Sequence, residues 1–499
     1  MKGVICLEKL PSSSDFEDVN IASDLDRALT DVKTIMGNTM DLNIMEVEIS
    51  GHRCAVITIE SMVSTLNVSE VVYKHLMNFN VPDCTAKTVF DYITRQSILS
   101  SERKTVYTYG DLTRFAYSGF AVILIDGIGK AIVLGIQGYD KRSISEPSSE
   151  INVKGAQEGF IEVIRSNISL VRRRIKSPAL RFEMLQVGTL SKTDVCIAYI
   201  KGKAPEKYVD EIRRKLSGIK LETVLTSGYI KPFLENGKKN IFSSVYSTER
   251  PDVFCAKLNE GRVGVLIDGT PFALLCPSLF AENFYTMDDY VSKPFYTAYI
   301  RLIKYICFFI TVVFPGLYVA LATFHPETFS HKLLLNLAVS EEATPFPLYV
   351  EVLIMMIFYE IMREAGIRLP RAVGGAVSIV GGLIIGDAAV KSGLISVSIL
   401  IIVGLTATAS FVVPSTNEQA SILRLVFILA GGIAGLFGIT VAGAMLLVNI
   451  CAMDDFGVPY TAPFSPFTLK PFVNAVARAG FKKLAKTKSS VTDLNGIEK

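Results

Sequence analysis

The sequence predicts an α+β cytoplasmic head of two α/β subdomains followed by a polytopic α-helical membrane bundle. Three observations carry this. Composition changes near residue 295, a hairpin-like pattern occurs twice before that point, and long apolar runs follow it. With 50% hydrophobic residues, 20% charged residues and a mean hydropathy of +0.38, the chain is too apolar for an ordinary soluble enzyme or a disordered protein. Its net charge of +3 across 499 residues asks for no special partner.

Taken in order, residues 1–27 read as an N-terminal tail. MKGVICLEKLPSSSDFED has too short an apolar stretch and too many acids for a secretory signal, so what precedes the first span is expected to stay in the cytoplasm. Residues 28–145 form the first subdomain, 146–164 a connector and 165–294 the second subdomain. GFAVILIDGIGKAIVLG from Gly119 and GRVGVLIDGTPFALLCP from Gly261 each place a β-rich run, Asp-Gly and a second apolar run in succession. That is the pattern of a hairpin turning at Asp126-Gly127 and at Asp268-Gly269. No GxxxxGK[ST] and no helix follow either turn, so neither is a phosphate loop. KAPEKYVDEIRRKLSGIK is an amphipathic helix opening near Pro205 and released at Gly218.

The connector ISEPSSEINVKGAQEGF is polar. Its Glu146, Glu150 and Lys154 are candidates for inter-subdomain or partner contacts, beside the plainer reading of a solvated, charge-laced linker. VRRRIK from Val171 is a charge run with no nucleic-acid-binding signature around it. The 8 Cys include no CxxC pair and read as reduced core residues, with no metal site or disulfide framework. His325 and His331 lack HExxH, Ser410 and Ser415 lack a nucleophile-elbow setting, and Cys307 and Cys451 have no nearby His. No reactive constellation, cofactor site or enzyme is therefore expected.

Residues 295–452 hold the apolar runs, several long enough to span hydrocarbon, and 453–499 read as a cytoplasmic tail. Basic residues favour the cytoplasm at three places: Arg301 and Lys304, then Arg363, Arg368 and Arg371, then Lys482, Lys483 and Lys486. This works for the first pair of spans and fails by parity for the next three. Either one segment is re-entrant or the last run breaks at the glycines of GGIAGLFG, giving four to six crossings. Pro315 implies a kink in the first span and Pro414 ends another. Gly382 and Gly386, and Gly431 and Gly435, have the four-residue spacing that permits close helix approach, between copies or within one bundle.

PFPLYVEVLIMMIFYEIMREAGIRLP from Pro345 puts acids inside an apolar run. Glu351 and Glu360 lie nine residues apart, about 13 Å along a helix, on different faces. A lipid-facing carboxylate is disfavoured by about 2.5–3.5 kcal/mol, so both should face protein or a polar cavity. They read either as ion-path residues, Glu360 foremost, or as partners of Arg or Lys on another helix. Arg363, Glu364 and Arg368 form an interfacial charge cluster, and Asp387 is a third acid near the membrane.

The chain resembles the A subunit of the GerA-type nutrient-germinant receptors of spore-forming bacteria, or their sporulation stage V relative. The stretches that carry the resemblance are SISEPSSEINVKGAQEGF, NISLVRRRIKSPALRFEM, STERPD, EGRVGVLIDGTPFAL, the run from Glu342 through IIGDAAV, and ASFVVPS. The resemblance implies a multi-pass protein of the spore inner membrane, with a transporter-like B subunit and a lipoprotein C subunit as partners. It implies self-association into a ring that passes monovalent cations when nutrient binds, and the family's acid-bearing membrane segment maps to Glu351, Glu360 and Glu364; from the residues themselves, Glu351, Glu360 and Asp387 are the candidate ion-path acids. A non-conducting signalling or scaffold subunit is the alternative. Two departures from the family pattern stand out: Lys154 where Arg is usual, and Asp387 where Gln is usual.

Overall fold

The computed structural model describes residues 16, 18–37, 39–60, 62–64, 68–77, 84–96, 102–138, 147, 150, 155–235, 240–342, 344–369, 386–467, 472 and 475–476. Glu146, Lys154, Arg371, Gly382, Lys482, Lys483 and Lys486 lie outside the described residues.

Asp24 opens the first helix, α1 (Leu25–Met36), its carboxylate accepting from the Arg27 N–H at 2.9 Å. The helix thus begins ahead of the expected boundary at residue 28, and Phe16 and Ile21 pack in the same core. Strands β1 (Leu42–Ile49) and β2 (His52–Ile59) follow, then helical stretches α2 (Val68–Tyr73, running into Lys74–Met77) and α3 (Ala86–Asp91, running into Tyr92–Gln96). Strand β3 (Arg103–Val106), helix α4 (Tyr109–Ala116) and strands β4 (Phe120–Ile125) and β5 (Ala131–Gly135) complete the unit. The strands form an antiparallel sheet in the order β1-β2-β4-β5-β3. Because side chains alternate across a strand, Val122 and Leu124 face α1 and α4 while Ala121, Ile123 and Ile125 face α2 and α3.

The second unit repeats the first. Helix α5 (Ile164–Arg174), β6 (Leu180–Val187), β7 (Thr193–Ile200), α6 (Glu206–Ser217), α7 (Ser227–Leu234), β8 (Tyr246–Thr248), α8 (Pro251–Asn259), β9 (Val263–Ile267) and β10 (Ala273–Cys276) build a sheet in the order β6-β7-β9-β10-β8. The Asp-Gly turns are equivalent to the level of single hydrogen bonds. Leu25 N–H donates to Asp126 Oδ1 at 3.1 Å and Gly127 N–H to the Ser23 carbonyl at 2.9 Å. Ile164 N–H donates to Asp268 Oδ1 at 3.1 Å and Gly269 N–H to the Glu162 carbonyl at 2.8 Å. Both glycines have φ of +82°, so each turn needs a residue without a Cβ in order to cap the first helix of its own repeat.

The helical half contains α9 (Pro294–Val312), α10 (Phe314–Phe324), α11 (His331–Glu342), α12 (Leu348–Arg368), α13 (Val397–Ser410) and α14 (Asn417–Cys451). Among the described residues two helices are long and apolar enough to cross a membrane, Pro294–Val312 and Pro414–Cys451. The first breaks at Val313, two residues before Pro315. The second is not straight: Gly435 has φ 57° and ψ −142°, and a Cβ built on Gly438 would overlap the Ala430 carbonyl, eight residues back. In a straight helix eight residues span about 12 Å, so the chain reverses at Gly435. Both feet of the resulting hairpin reach the head, Ser415 Oγ donating to the Asn283 carbonyl at 2.7 Å and Ile241 N–H to Asn449 Oδ1 at 3.3 Å. Gly316 and Gly431 let α10 and α14 cross in backbone contact. Beyond α14, Phe456, Val458 and Ala462 join the core of the second repeat, so this part of the expected tail belongs to the head.

Candidate functional site at the junction of head and helices

The junction starts with Asp289, just before α9. Its carboxylate accepts from Arg301 Nε at 2.7 Å and lies 3.7 Å from Lys304 Nζ, while the Tyr285 ring covers the Arg301 guanidinium at 4.2 Å. Arg301 is 1% exposed and Lys304 7%. These two cations therefore fasten α9 to the head rather than reaching lipid headgroups, which corrects their use as orientation markers. Glu282, on the preceding 3₁₀ segment Phe280–Phe284, is also buried. Burial pushes its carboxyl pKa up, but Arg262 and Lys257 around it outweigh this and hold it below the usual value. Phe242, Phe280, Phe284, Phe308 and Tyr460 stack edge to face or tilted across the seam, so head and helices share one aromatic core.

A cavity of about 790 Å³ opens beside this seam. Glu150, Tyr246 and Arg250 form its head wall, and Arg363, Glu364 and Glu418 its helical wall. Glu150 accepts from the Thr248 hydroxyl at 2.5 Å, the Tyr246 hydroxyl at 3.2 Å and the Glu249 N–H at 3.3 Å. Arg250 donates to the carbonyls of Glu150 at 3.2 Å and Ala156 at 2.8 Å. The connector is thus bound to STERPD by hydrogen bonds, and burial raises the Glu150 pKa above its ordinary 4.5.

On the helical side Glu360 Oε1 meets Arg424 Nη2 at 2.7 Å, and Glu360 Oε2 meets Arg363 Nη2 at 2.6 Å. Arg363 also donates to Ser421 Oγ at 3.0 Å. One carboxylate between two guanidiniums leaves the cluster with a net positive charge. Glu364 pairs with Arg368 at 2.6 Å, one helical turn on, and both are exposed. Glu351 lies at the opposite end of α12, fully buried, accepting from Thr344 Oγ1 at 2.5 Å and from the Ser396 N–H at 3.1 Å at the start of α13. It meets no cation among the described residues. Asp387 is exposed and pairs with Lys391 at 2.7 Å. The structure brings Glu360, Arg363 and Glu364 to the junction and leaves Glu351 and Asp387 away from it.

Sequence reasoning missed the cations that matter most. Arg424 completes the Glu360 pair from 64 positions away. Arg172, the first arginine of VRRRIK, is fully buried, donating to Asp41 at 2.8 and 2.9 Å and lying between the rings of Tyr117 and Phe182 at 4.7 and 4.8 Å. Arg173 and Arg174 pair with Glu158, so the run is no nucleic-acid surface. Its signal was present: Arg172 follows Ile168 and Val171 on the buried face of α5.

Two repeated α+β units fastened by buried ion pairs and a shared aromatic core to apolar helices define a head-bearing, membrane-associated protein. The chain belongs to the Bacillus/Clostridium GerA spore germination protein family, whose model matches residues 30–490. It is 36% identical over 481 residues to spore germination protein KA of Bacillus subtilis (strain 168), covering 95% of this chain and 88% of that protein. It is 34% identical to spore germination protein GerLA of Bacillus cereus, covering 90% and 92%, and 34% identical to the uncharacterized membrane protein YfkQ of B. subtilis (strain 168), covering 98% and 96%. The crystal structure of the N-terminal domain of the A subunit of the Bacillus megaterium spore germinant receptor GerK3 is 30% identical, with a TM-score of 0.41, and covers 52% of this chain and 97% of that one. The chain is a GerA-type receptor subunit and not an enzyme.

Proposed function

We propose that the chain is the membrane subunit of a spore nutrient-germinant receptor, that copies of it self-associate in the spore inner membrane around a path for monovalent cations, and that its head, on the cytoplasmic side, couples that path to nutrient-binding partner subunits. Family membership carries the receptor role. The reversal at Gly435 supports the placement, since it returns Cys451 to the side of the head and so allows the even number of crossings that a cytoplasmic tail requires. Phe295, Tyr296 and Tyr299, all exposed at the start of α9, fit the headgroup level of a bilayer. A transporter-like and a lipoprotein subunit are the proposed partners, as the resemblance to the family implies.

One observation favours the second reading, a non-conducting signalling or scaffold subunit. Glu360 is already matched by Arg424 and Arg363, and a carboxylate in that state attracts no further cation. On the conducting reading Glu360 therefore holds α12 to α14; Glu351, which meets no cation among the described residues, and Asp387, whose exposed pair with Lys391 is weak and screened by solvent, remain as the candidate path acids. The test is cation release by spores in which this chain is the sole subunit of its type. Nutrient-triggered release that disappears on its deletion supports the receptor role, and release at an unchanged rate removes it.

A further inference from the structure

Two acids stand close together at the end of α12 away from the head, about 18 Å along the helix from Arg363. The first is Glu351, fully buried, which accepts from the Ser396 N–H at 3.1 Å and from the Thr344 hydroxyl at 2.5 Å. That hydroxyl has one hydrogen and a second acceptor, the Glu341 carbonyl at 2.9 Å, so it cannot serve both. The second acid is Glu341 itself, half-buried near the end of α11. The charge acting on its carboxylate is that of Glu351, and no cation offsets it among the described residues. Ser396 is the N-cap of α13, yet its hydroxyl makes no capping bond and has no partner among the described residues, although Ser396 is only 3% exposed. Because the N–H of the same residue holds Glu351, this free oxygen stands beside the carboxylate. The Tyr318 hydroxyl of α10 lies within reach of both acidic charges.

We propose that Glu351 and Glu341, with the hydroxyls of Ser396, Thr344 and Tyr318, form a binding site for a divalent cation, calcium by preference. Two carboxylates supply the charge that one divalent ion neutralises, and a buried carboxylate without such compensation is costly. Every ligand in the set is an oxygen, which suits a hard ion and not zinc or copper. The oxygens come from separate stretches of chain in no regular array, which calcium tolerates better than magnesium with its octahedral demand. An ion held there ties the turn between α11 and α12 to the start of α13. The site does not depend on conduction. Its side of the membrane rests on the topology proposed above: with the head cytoplasmic, it lies toward the opposite face, where the helices would sense calcium.

The test is thermal unfolding of the purified full chain in detergent, stripped with EDTA, at constant ionic strength, with calcium or magnesium chloride against sodium and potassium chloride. The expected result is a saturable rise of about 2–4 °C with calcium and a smaller one with magnesium. The rise is reduced in Glu341→Gln and in Ser396→Ala and absent in Glu351→Gln. No rise with calcium overturns the site, as does an equal rise with sodium or potassium, or a calcium response that all three variants retain in full. If Glu351→Gln does not fold, the other two variants decide: a weakened response supports the site and an unchanged one overturns it. Cation release by spores tests the receptor role separately, so either conclusion can fail without the other.

Discussion

At the residue scale the decisive arrangement is a buried arginine with its acid. Arg424 is 1% exposed, and Glu360 is its anionic partner. Removing one member of such a pair strands the other, at a cost of about 3–5 kcal/mol. Glu360→Gln is therefore expected to lower the amount of folded protein in the membrane, and adding Arg424→Met is expected to restore much of it. Quantitative immunoblotting with thermal melts checks this. Normal abundance of the single variant with reduced cation release would return Glu360 to the path. Glu150 gives a pH prediction of defined sign. Its folded pKa lies above the ordinary 4.5, so its contribution to stability is fully present below about 4.5 and is lost as pH rises through the folded value. Wild type should gain stability relative to Glu150→Gln as pH is lowered through the folded value toward about 4.5, and a pH-independent difference would remove this role. Neither Arg424 nor the hydrogen-bond set around Glu150 was legible in the sequence, because both depend on positions far apart in the chain, which no local period connects.

At the element scale local chemistry was readable wherever it was self-contained. The helix from Pro205 to Gly218 appears as Glu206–Ser217, because Pro opens it and Gly releases it. The two Asp-Gly patterns marked equivalent turns, but their work in capping α1 and α5 was hidden, since it needs partners roughly a hundred residues upstream. Gly127→Val or Gly269→Val puts a β-branched residue at φ +82° and is expected to destabilise the head by about 1–3 kcal/mol. Lower protein level with unchanged nutrient preference is the expected outcome, and a changed preference at full abundance would contradict it. The reversal of α14 was one of two solutions to the parity problem that the sequence left open. Gly435 makes it possible, with a backbone conformation that only glycine adopts readily and the Phe324 side chain 3.0 Å from where a Cβ would stand. Gly435→Ala should straighten or unfold the hairpin. Loss of contact between paired cysteines placed at Ile241 and Asn449, where one foot of the hairpin meets the head, would show it, and an unaltered crosslink would refute it.

For the whole molecule, composition alone divided head from helices near residue 295, and α9 does begin at Pro294. Positive charge was a poorer guide, because Arg301 and Lys304 are spent on Asp289 inside the protein. The duplication of topology in the head was also invisible beyond its two turns, since the matching strands share order and pairing rather than residues. What emerges is a single mechanical unit: the head repeats are locked by Arg172 and Asp41, the second repeat is joined to α9 through Asp289, and both feet of the α14 hairpin rest on it. Such a unit is what the proposed coupling of the head to the helices requires. Whether those helices enclose a path is tested most directly by reconstituting the purified chain in liposomes and following potassium efflux. The account predicts efflux from the assembled chain that is selective for monovalent cations and falls in Asp387→Asn or Glu351→Gln at equal incorporation. Tight liposomes at every protein density, with the chain correctly folded and self-associated, would contradict it and leave the scaffold reading.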